Sequence, residues 1–347
     1  MAKLGDIATY VNGFAFKPTD WSDTGLPIIR IQDLTGNSYQ ANRYNGKYDS
    51  KYEILDGDVL ISWSASLGVY VWHGETALLN QHIFKVVFNK VDVDKNFFIH
   101  QVKAILEKAS SEAHGATMKH LTKPVFDALP FYLPSIEEQK DIAEKLDKVC
   151  TLIEQRKQQI EKLDQLVKSR FIELFGDIHI PSKWEKKPWS ELVTIQNGRD
   201  YKNILVESGG YPVYGTGGEM ARASDYLCPE NTIIVGRKGT INNPLLVKEK
   251  FWNVDTAFGV IAGNQLHYQY FYNFCRMFDF STLNKQAVLP STTKADLLKI
   301  EIAVPPMELQ NQFATFVEQT DKSKLAVQQS LEKLEILKNS LMQDYFG

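Results

Sequence analysis

The sequence predicts an α+β fold built as a duplicated unit. Each copy is a globular segment of small mixed β-sheets with short helices, followed by one long helix. Two observations predict this. Residues 133–176 and 304–347 align without gaps at a constant offset of 171, with 12 identities in 44 positions, more than unrelated sequences share. Both segments also carry apolar residues at alternating steps of four and three, the pattern of a long helix with one apolar seam. The domain reading is therefore 1–133 globular, 134–176 helix, 177–303 globular and 304–347 helix.

The first long helix opens after Pro134, with Ser135 as N-cap and Glu138 three residues on, a capping box. Its seam runs through Ile142, Leu146, Val149, Ile153, Ile160, Leu163, Val167 and Leu174, and Gly176 is the natural stop. At 1.5 Å per residue such a helix spans ~58 Å. The second copy has Phe313, Val317, Val327, Leu331, Leu334, Leu341 and Tyr345 along its seam, and Pro306 in place of the capping serine. Shared landmarks include Pro134/Pro305, Glu137/Glu308, Gln139/Gln310 and the closing Phe175-Gly176/Phe346-Gly347. Arg156 and Arg170 sit on the first seam, where long side chains are expected to reach out to solvent, the alternative being contact with a partner subunit.

The globular segments share traces only, among them Asn12-Gly13 with Asn197-Gly198 and Thr122-Lys123 with Thr293-Lys294. Strands are expected near 58–62, 69–72, 83–88, 231–235, 245–247 and 258–262, and short helices near 95–109 and 268–278. The aromatic run from Tyr268 to Phe280 reads as helical core and not as a base-stacking platform.

Composition narrows the function. The 347 residues carry 39 Lys+Arg and 42 Asp+Glu, a net charge of −3, and no segment of the four exceeds +1. That excludes nucleic-acid binding by bulk positive charge. An apolar content of 44% excludes a disordered acidic tail. No apolar run reaches the ~18 residues of a membrane span, and the first residues lack a signal-peptide core. Three cysteines (Cys150, Cys228, Cys275) without a C-x-x-C pair fit a reducing cytoplasm.

Catalytic motifs are missing. Gly236-Arg237-Lys238-Gly239-Thr240 has the wrong order for a phosphate-binding P-loop, and Gly215-x-Gly217 is no dinucleotide fingerprint. Asn243-Pro244-Leu245 is not an amino-methyltransferase motif, and His73-Gly74-Glu75 lacks the following P-C-x-x-C of a zinc deaminase. The seven histidines form no H-E-x-x-H, so no metal site is expected. A binding protein is favoured over an enzyme.

Two divergent globular segments, each followed by a repeated helix opening with P-x-x-E-x-Q and closing with F-G, resemble the specificity (S) subunits of type I restriction-modification systems. Asn12-Gly13-Phe14-Ala15-Phe16-Lys17, Ile28-Ile29-Arg30-Ile31-Gln32-Asp33-Leu34 and Gly57-Asp58-Val59-Leu60-Ile61-Ser62 resemble landmarks of their target recognition domains. So do Lys119-His120-Leu121-Thr122-Lys123 in the first copy, and Gly236–Thr240 and Asn253–Phe258 in the second. The resemblance covers the whole chain. Many family members carry a further stretch ahead of the first domain, whereas here that domain begins near Met1.

The resemblance implies a non-catalytic reader of double-stranded DNA. Each target recognition domain would bind one half of a bipartite, asymmetric target. The two helices would pack as an antiparallel coiled coil that spaces the domains in a pseudo-twofold arrangement, for half-sites about one helical turn (~34–36 Å) apart. Two modification (adenine methyltransferase) subunits would dock on the helices, and restriction/translocase subunits would complete the enzyme. No cofactor is expected in this chain; S-adenosylmethionine, ATP and Mg would belong to the partners. The alternative is the recognition subunit of a type IIB-like enzyme with a fused nuclease-methyltransferase partner.

Base reading calls for Arg, Lys, Asn, Gln, Ser, Thr and His side chains on loops. In the second domain the candidates are Arg237 and Lys238 at a glycine-flanked turn, with Asn242, Asn243, Thr216, Ser291, Thr292, Thr293 and Lys294. In the first they are Ser62, Ser64 and Ser66, with Gln81, His82, Lys119, His120 and Lys123.

Overall fold

A computed structural model describes residues 1–36, 42–64, 66–112, 122–283 and 291–347. The chain divides into two compact units. Unit 1 comprises Met1–Gln155 with Leu331–Gly347, and unit 2 comprises Arg156–Ser330. Each unit thus takes one part of each long helix.

Unit 1 runs β1 (Ala2–Lys3), α1 (Leu4–Ile7), β2 (Thr9–Asn12), β3 (Leu26–Ile29), α2 (Ile31–Leu34), β4 (Arg43–Tyr44), β5 (Glu53–Ile54), β6 (Val59–Ser62), β7 (Gly68–Val71), β8 (Ala77–Leu79), β9 (Ile83–Val87), α3 (Lys95–Glu112), α4 (Lys123–Asp127) and β10 (Pro130–Phe131), before the long α5 (Ile136–Phe175). Unit 2 continues with β11 (Lys186–Pro188), α6 (Trp189–Leu192), β12 (Val193–Asn197), β13 (Tyr211–Gly215), β14 (Gly218–Ala223), β15 (Thr232–Gly236), β16 (Leu245–Val247), β17 (Trp252–Asn253), β18 (Ala257–Ala262), α7 (Tyr268–Met277), α8 (Lys294–Leu297) and β19 (Glu301–Ala303), before the long α9 (Met307–Phe346). The two long helices begin and end at the same 171-residue offset that relates their sequences.

The topology repeats as well. One four-stranded sheet has the order β2-β9-β6-β7 in unit 1 and β12-β18-β15-β16 in unit 2, antiparallel throughout. A second sheet has the order β4-β3-β8-β5 in unit 1 and β14-β13-β17 in unit 2, with one parallel pair in each, β3 on β8 and β13 on β17. The central strands β6 and β15 are buried along their whole length, so they read as continuous apolar runs and not as alternating patterns.

Both cores close on the long helices. In unit 1, Tyr10, Ile61, Phe84, Phe97, Phe98, Phe126 and Phe131 pack with Ile142 and Leu146 of α5 and with Leu341, Tyr345 and Phe346 of α9. In unit 2, Trp189, Val235, Val260, Tyr270 and Phe271 pack with Phe171 and Phe175 of α5 and Phe313 of α9. The run from Tyr268 is core: Tyr270, Phe271 and Phe274 are buried, as its helical spacing predicts. Within unit 2 the two helices run antiparallel. Arg156 Nε donates to Ser330 Oγ at 3.3 Å and Lys324 Nζ pairs with Asp164 at 2.6 Å. The seam arginines therefore do more than reach for solvent. Arg156 crosses to α9, and Arg170 pairs with Glu173 while lying 5.8 Å from the Phe316 ring.

The repeated glutamine of the P-x-x-E-x-Q segment acquires a role here. Gln139 is 1% exposed and Gln310 is fully buried. Gln139 Oε1 accepts the Asp94 N–H at 2.9 Å, and its Nε2 donates to the Pro134 carbonyl at 2.9 Å. Gln310 Oε1 accepts the His267 N–H at 2.7 Å, and its Nε2 donates to the carbonyls of Pro305 (2.8 Å) and Gln265 (3.1 Å). One amide thus ties the first turn of each long helix to the residue that enters an earlier helix of the same unit, α3 for Gln139 and α7 for Gln310. Gln310→Leu leaves the His267 N–H and the carbonyl of buried Pro305 without partners, and is expected to cost about 2–4 kcal/mol, since each buried group left so costs about 1–3 while the carbonyl of exposed Gln265 turns to water. Urea unfolding measures it; a loss below about 1 kcal/mol would refute the clamp.

Candidate nucleic-acid interface

Three loops converge at one end of each unit. In unit 1 they are the turn after β2, the β6–β7 loop and the β8–β9 loop. The Gly13 N–H donates to the Ile83 carbonyl at 3.1 Å, and the Gln81 N–H to the Phe14 carbonyl at 2.9 Å. Trp63 joins all three: its Nε1 donates to Asn12 Oδ1 at 3.2 Å, its N–H to the His82 carbonyl at 3.2 Å, and its ring meets the His82 ring edge-on at 4.9 Å. His82 holds a left-handed φ of 73°, uncommon for a residue with a side chain and frequent where a functional loop is constrained.

Unit 2 repeats the arrangement with other side chains. The Arg199 N–H donates to the Asn253 carbonyl at 3.0 Å and the Arg237 N–H to the Thr256 carbonyl at 2.9 Å. Asn253 is fully buried. Its Nδ2 donates to the Ala257 carbonyl at 3.1 Å, and its Oδ1 accepts from the Cys228 thiol at 3.3 Å. Burial pushes that thiol up to about 12, which keeps its proton in place for the bond. The Asn-Gly pair recurs because only a glycine lets the chains approach. A Cβ on Gly13 would lie 2.0 Å from the Asn80 oxygen, and one on Gly198 1.8 Å from the Val254 oxygen.

The structure sorts the expected contact residues into two groups. Exposed at the loop ends are Arg237 and Lys238 in unit 2, and Gln81 and Ser66 in unit 1. Arg237 lies 5.9 Å from the Phe258 ring, and Gly239, at φ 77°, closes its turn. Thr216 is half-buried, its methyl beside Gly236. Ser291 is half-buried and bridges to Lys238.

Most of the others hold the loops. Thr292 is buried, its hydroxyl donating to the Gly236 carbonyl at 2.7 Å and its N–H to the Arg237 carbonyl at 3.0 Å. Thr293 caps α8 by accepting the Asp296 N–H at 3.2 Å. Lys294 donates to the Ile195 carbonyl at 2.9 Å, and Lys123, at the same place in α4, pairs with Asp127 at 2.5 Å. Asn242 uses both ends of its amide, on Asp279 and on the Phe280 N–H, each at 2.7 Å. Asn243 is exposed and lines, with Lys248, Arg276 and Asp321, a groove of 440 Å³ in unit 2. Ser62 is fully buried and donates to the Ser66 carbonyl, and Ser64 is buried. Lys119 and His120 lie outside the described residues.

Arg199, Phe14 and Trp63 belong to the loop ends as well, though none is among the contact residues expected from the sequence. The repeated Asn-Gly pair was the available signal, because Phe14 and Arg199 follow it directly in the two copies. Among the described residues no group of three or more His, Cys, Asp and Glu is placed to hold a metal ion, and no helix is long and apolar enough to cross a membrane.

The family model for the type I restriction modification DNA specificity domain matches residues 1–163 and again 181–336. The chain belongs to that family. Among its relatives, the EcoBI specificity subunit of Escherichia coli is 31% identical over 168 residues, covering 48% of this chain and 35% of that protein. The MjaVIII specificity subunit of Methanocaldococcus jannaschii is 25% identical over 219 residues, 58% of this chain and 51% of that protein. These matches thus span between a third and a half of the relatives' own lengths. A putative type I specificity subunit of M. jannaschii, MjaX, is 23% identical over 395 aligned positions, 98% of this chain and 91% of that one. The crystal structure of the type I S subunit from M. genitalium shares the fold, with a TM-score of 0.65 at 15% identity, covering 99% of this chain and 95% of that one. The specificity-subunit architecture of tandem recognition domains and long helices is therefore the fold of this chain.

Proposed function

We propose that this family member is the non-catalytic DNA-reading subunit of a type I restriction-modification system. Each unit reads one half of a bipartite, asymmetric target with the loops converging at its end. Two modification subunits bring S-adenosylmethionine-dependent adenine methylation, and restriction/translocase subunits add ATP- and Mg-dependent translocation and cleavage, all in the cytoplasm.

The observation that carries this reading is one scaffold built twice with different loop side chains. The clamp glutamines, the Asn-Gly approach and the sheet orders repeat. The exposed positions do not, as Phe14 against Arg199 and Ser66 against Arg237-Lys238 show. Conserved framing with divergent loops suits two readers of different sequences. Phosphate neutralisation supplies much of DNA affinity. A chain of net charge −3 leaves that share to its partners and uses its loops on base edges.

Methylome sequencing of cells expressing this chain with its modification subunit tests the proposal. The expected result is one methylated motif in two parts separated by unspecified bases. An uninterrupted motif, or methylation without sequence preference, would refute it.

A further inference from the structure

The two loop ends differ in chemistry, and base edges differ in what they accept. Unit 2 exposes Arg199, Arg237 and Lys238, with the exposed Asp255 in the segment 253–256 whose Asn253 and Thr256 carbonyls accept the backbone N–H groups of Arg199 and Arg237. Arginine or lysine bonds guanine O6 and N7, and a carboxylate accepts from cytosine N4. A cation and a carboxylate together suit a G·C pair.

Unit 1 carries no arginine at the corresponding described positions. It exposes Phe14 (42% exposed), the Asn12 and Gln81 amides and Ser66. Glutamine and asparagine bond adenine N6 and N7, and an aromatic ring packs on the thymine methyl. Asn12 is exposed and its Oδ1 accepts from Trp63, so the end of its amide that remains to bond a base is the N–H donor, which suits an acceptor such as adenine N7. Lys17 and Lys202 occupy equivalent places in the two post-strand turns and do not distinguish them, and Lys123 and Lys294 are bonded within the chain.

We infer that the target is asymmetric in composition: unit 2 reads a half-site containing a G·C pair through Arg199 and Arg237, and unit 1 reads a half-site dominated by A·T pairs. This rests on the two-part reading proposed above and adds to it which unit reads which kind of base.

The test compares methylomes of cells carrying the full chain, or its variants, with the modification subunit. Arg199→Ala, Arg237→Ala and Gln81→Ala each alter an exposed side chain, and unchanged unfolding temperatures show that the fold is kept. Either arginine variant is expected to relax discrimination at one G·C pair by roughly tenfold or more, in one half of the motif only. Gln81→Ala is expected to relax an A·T pair in the other half. The inference is overturned if the half altered by the arginine variants contains no G·C pair, if neither arginine variant relaxes any position, or if the half altered by Gln81→Ala is G·C-rich. A wild-type methylome without a two-part motif overturns instead the function on which the inference rests.

Discussion

Gly198→Ala is expected to disable reading by unit 2 while leaving unit 1 intact. The added Cβ would sit 1.8 Å from the Val254 oxygen and 2.4 Å from the carbon that bears it. Neither atom belongs to a flexible side chain, so the backbone of one loop must move. Overpacking of this kind costs about 3 kcal/mol. In a unit of this size that lowers the midpoint of its unfolding by roughly 6–12 °C. The displaced segment carries Arg199 on one side and Asp255-Thr256 on the other, and the Arg237 N–H bonds to Thr256. Hence both arginines lose their placement together. Calorimetry and the methylome read the two effects: one half of the motif should lose its definition. Wild-type stability with an unchanged motif would show that the close approach is dispensable. Gly13→Ala, at 2.0 Å from the Asn80 oxygen, is the corresponding lesion in unit 1 and should degrade the other half.

Phe171→Ala is expected to cause the largest loss of stability, about 3–5 kcal/mol. Phe171 is 1% exposed, stacks on Tyr270 at 5.4 Å and 7°, and meets Phe175 and Phe313 edge-on at 5.1 and 5.5 Å. Its removal opens a cavity among rings too rigid to collapse into it and forfeits three aromatic contacts, each worth about 0.5–1.5 kcal/mol beyond area burial. The loss belongs to unit 2 alone, because every one of those partners lies within it. Two separated unfolding transitions, with only one shifted, would be the signature. A shift smaller than that of Gln310→Leu would contradict this reading of the core.

The long helices were legible because they carry both an internal identity and a heptad seam, and their ends fall at the repeat offset. The strands β6, β9, β15 and β18 were legible as apolar runs. The strands β4, β5 and β17 were not, since two residues hold no period and their pairing is set by tertiary contacts. Gln139 and Gln310 stood out as repeats, but their partners lie on loops more than 40 residues away, which no local pattern reveals. Thr292 and Lys294 show the limit for the candidate interface. Their residue types suit base reading, yet whether a hydroxyl or ammonium turns outward or pins a neighbouring carbonyl depends on the fold around it. Arg237 and Lys238 were readable because flanking glycines force a turn, and a turn leaves long side chains outside.

The discontinuity of unit 1 bears on how the chain is made. Unit 2 is one uninterrupted stretch, so it can fold as soon as it leaves the ribosome. Residues 1–155 emerge before unit 2, but their core lacks Leu341, Tyr345 and Phe346 until some 190 further residues have been added, a wait of roughly 10–40 s at ordinary synthesis rates. Phe97, which meets the Phe346 ring at 5.6 Å, is bare on that side throughout the interval. Unit 1 thus starts before unit 2 and is finished after it, and a nascent chain stalled short of α9 presents the cell with an open apolar seam, a natural target for chaperones and proteases.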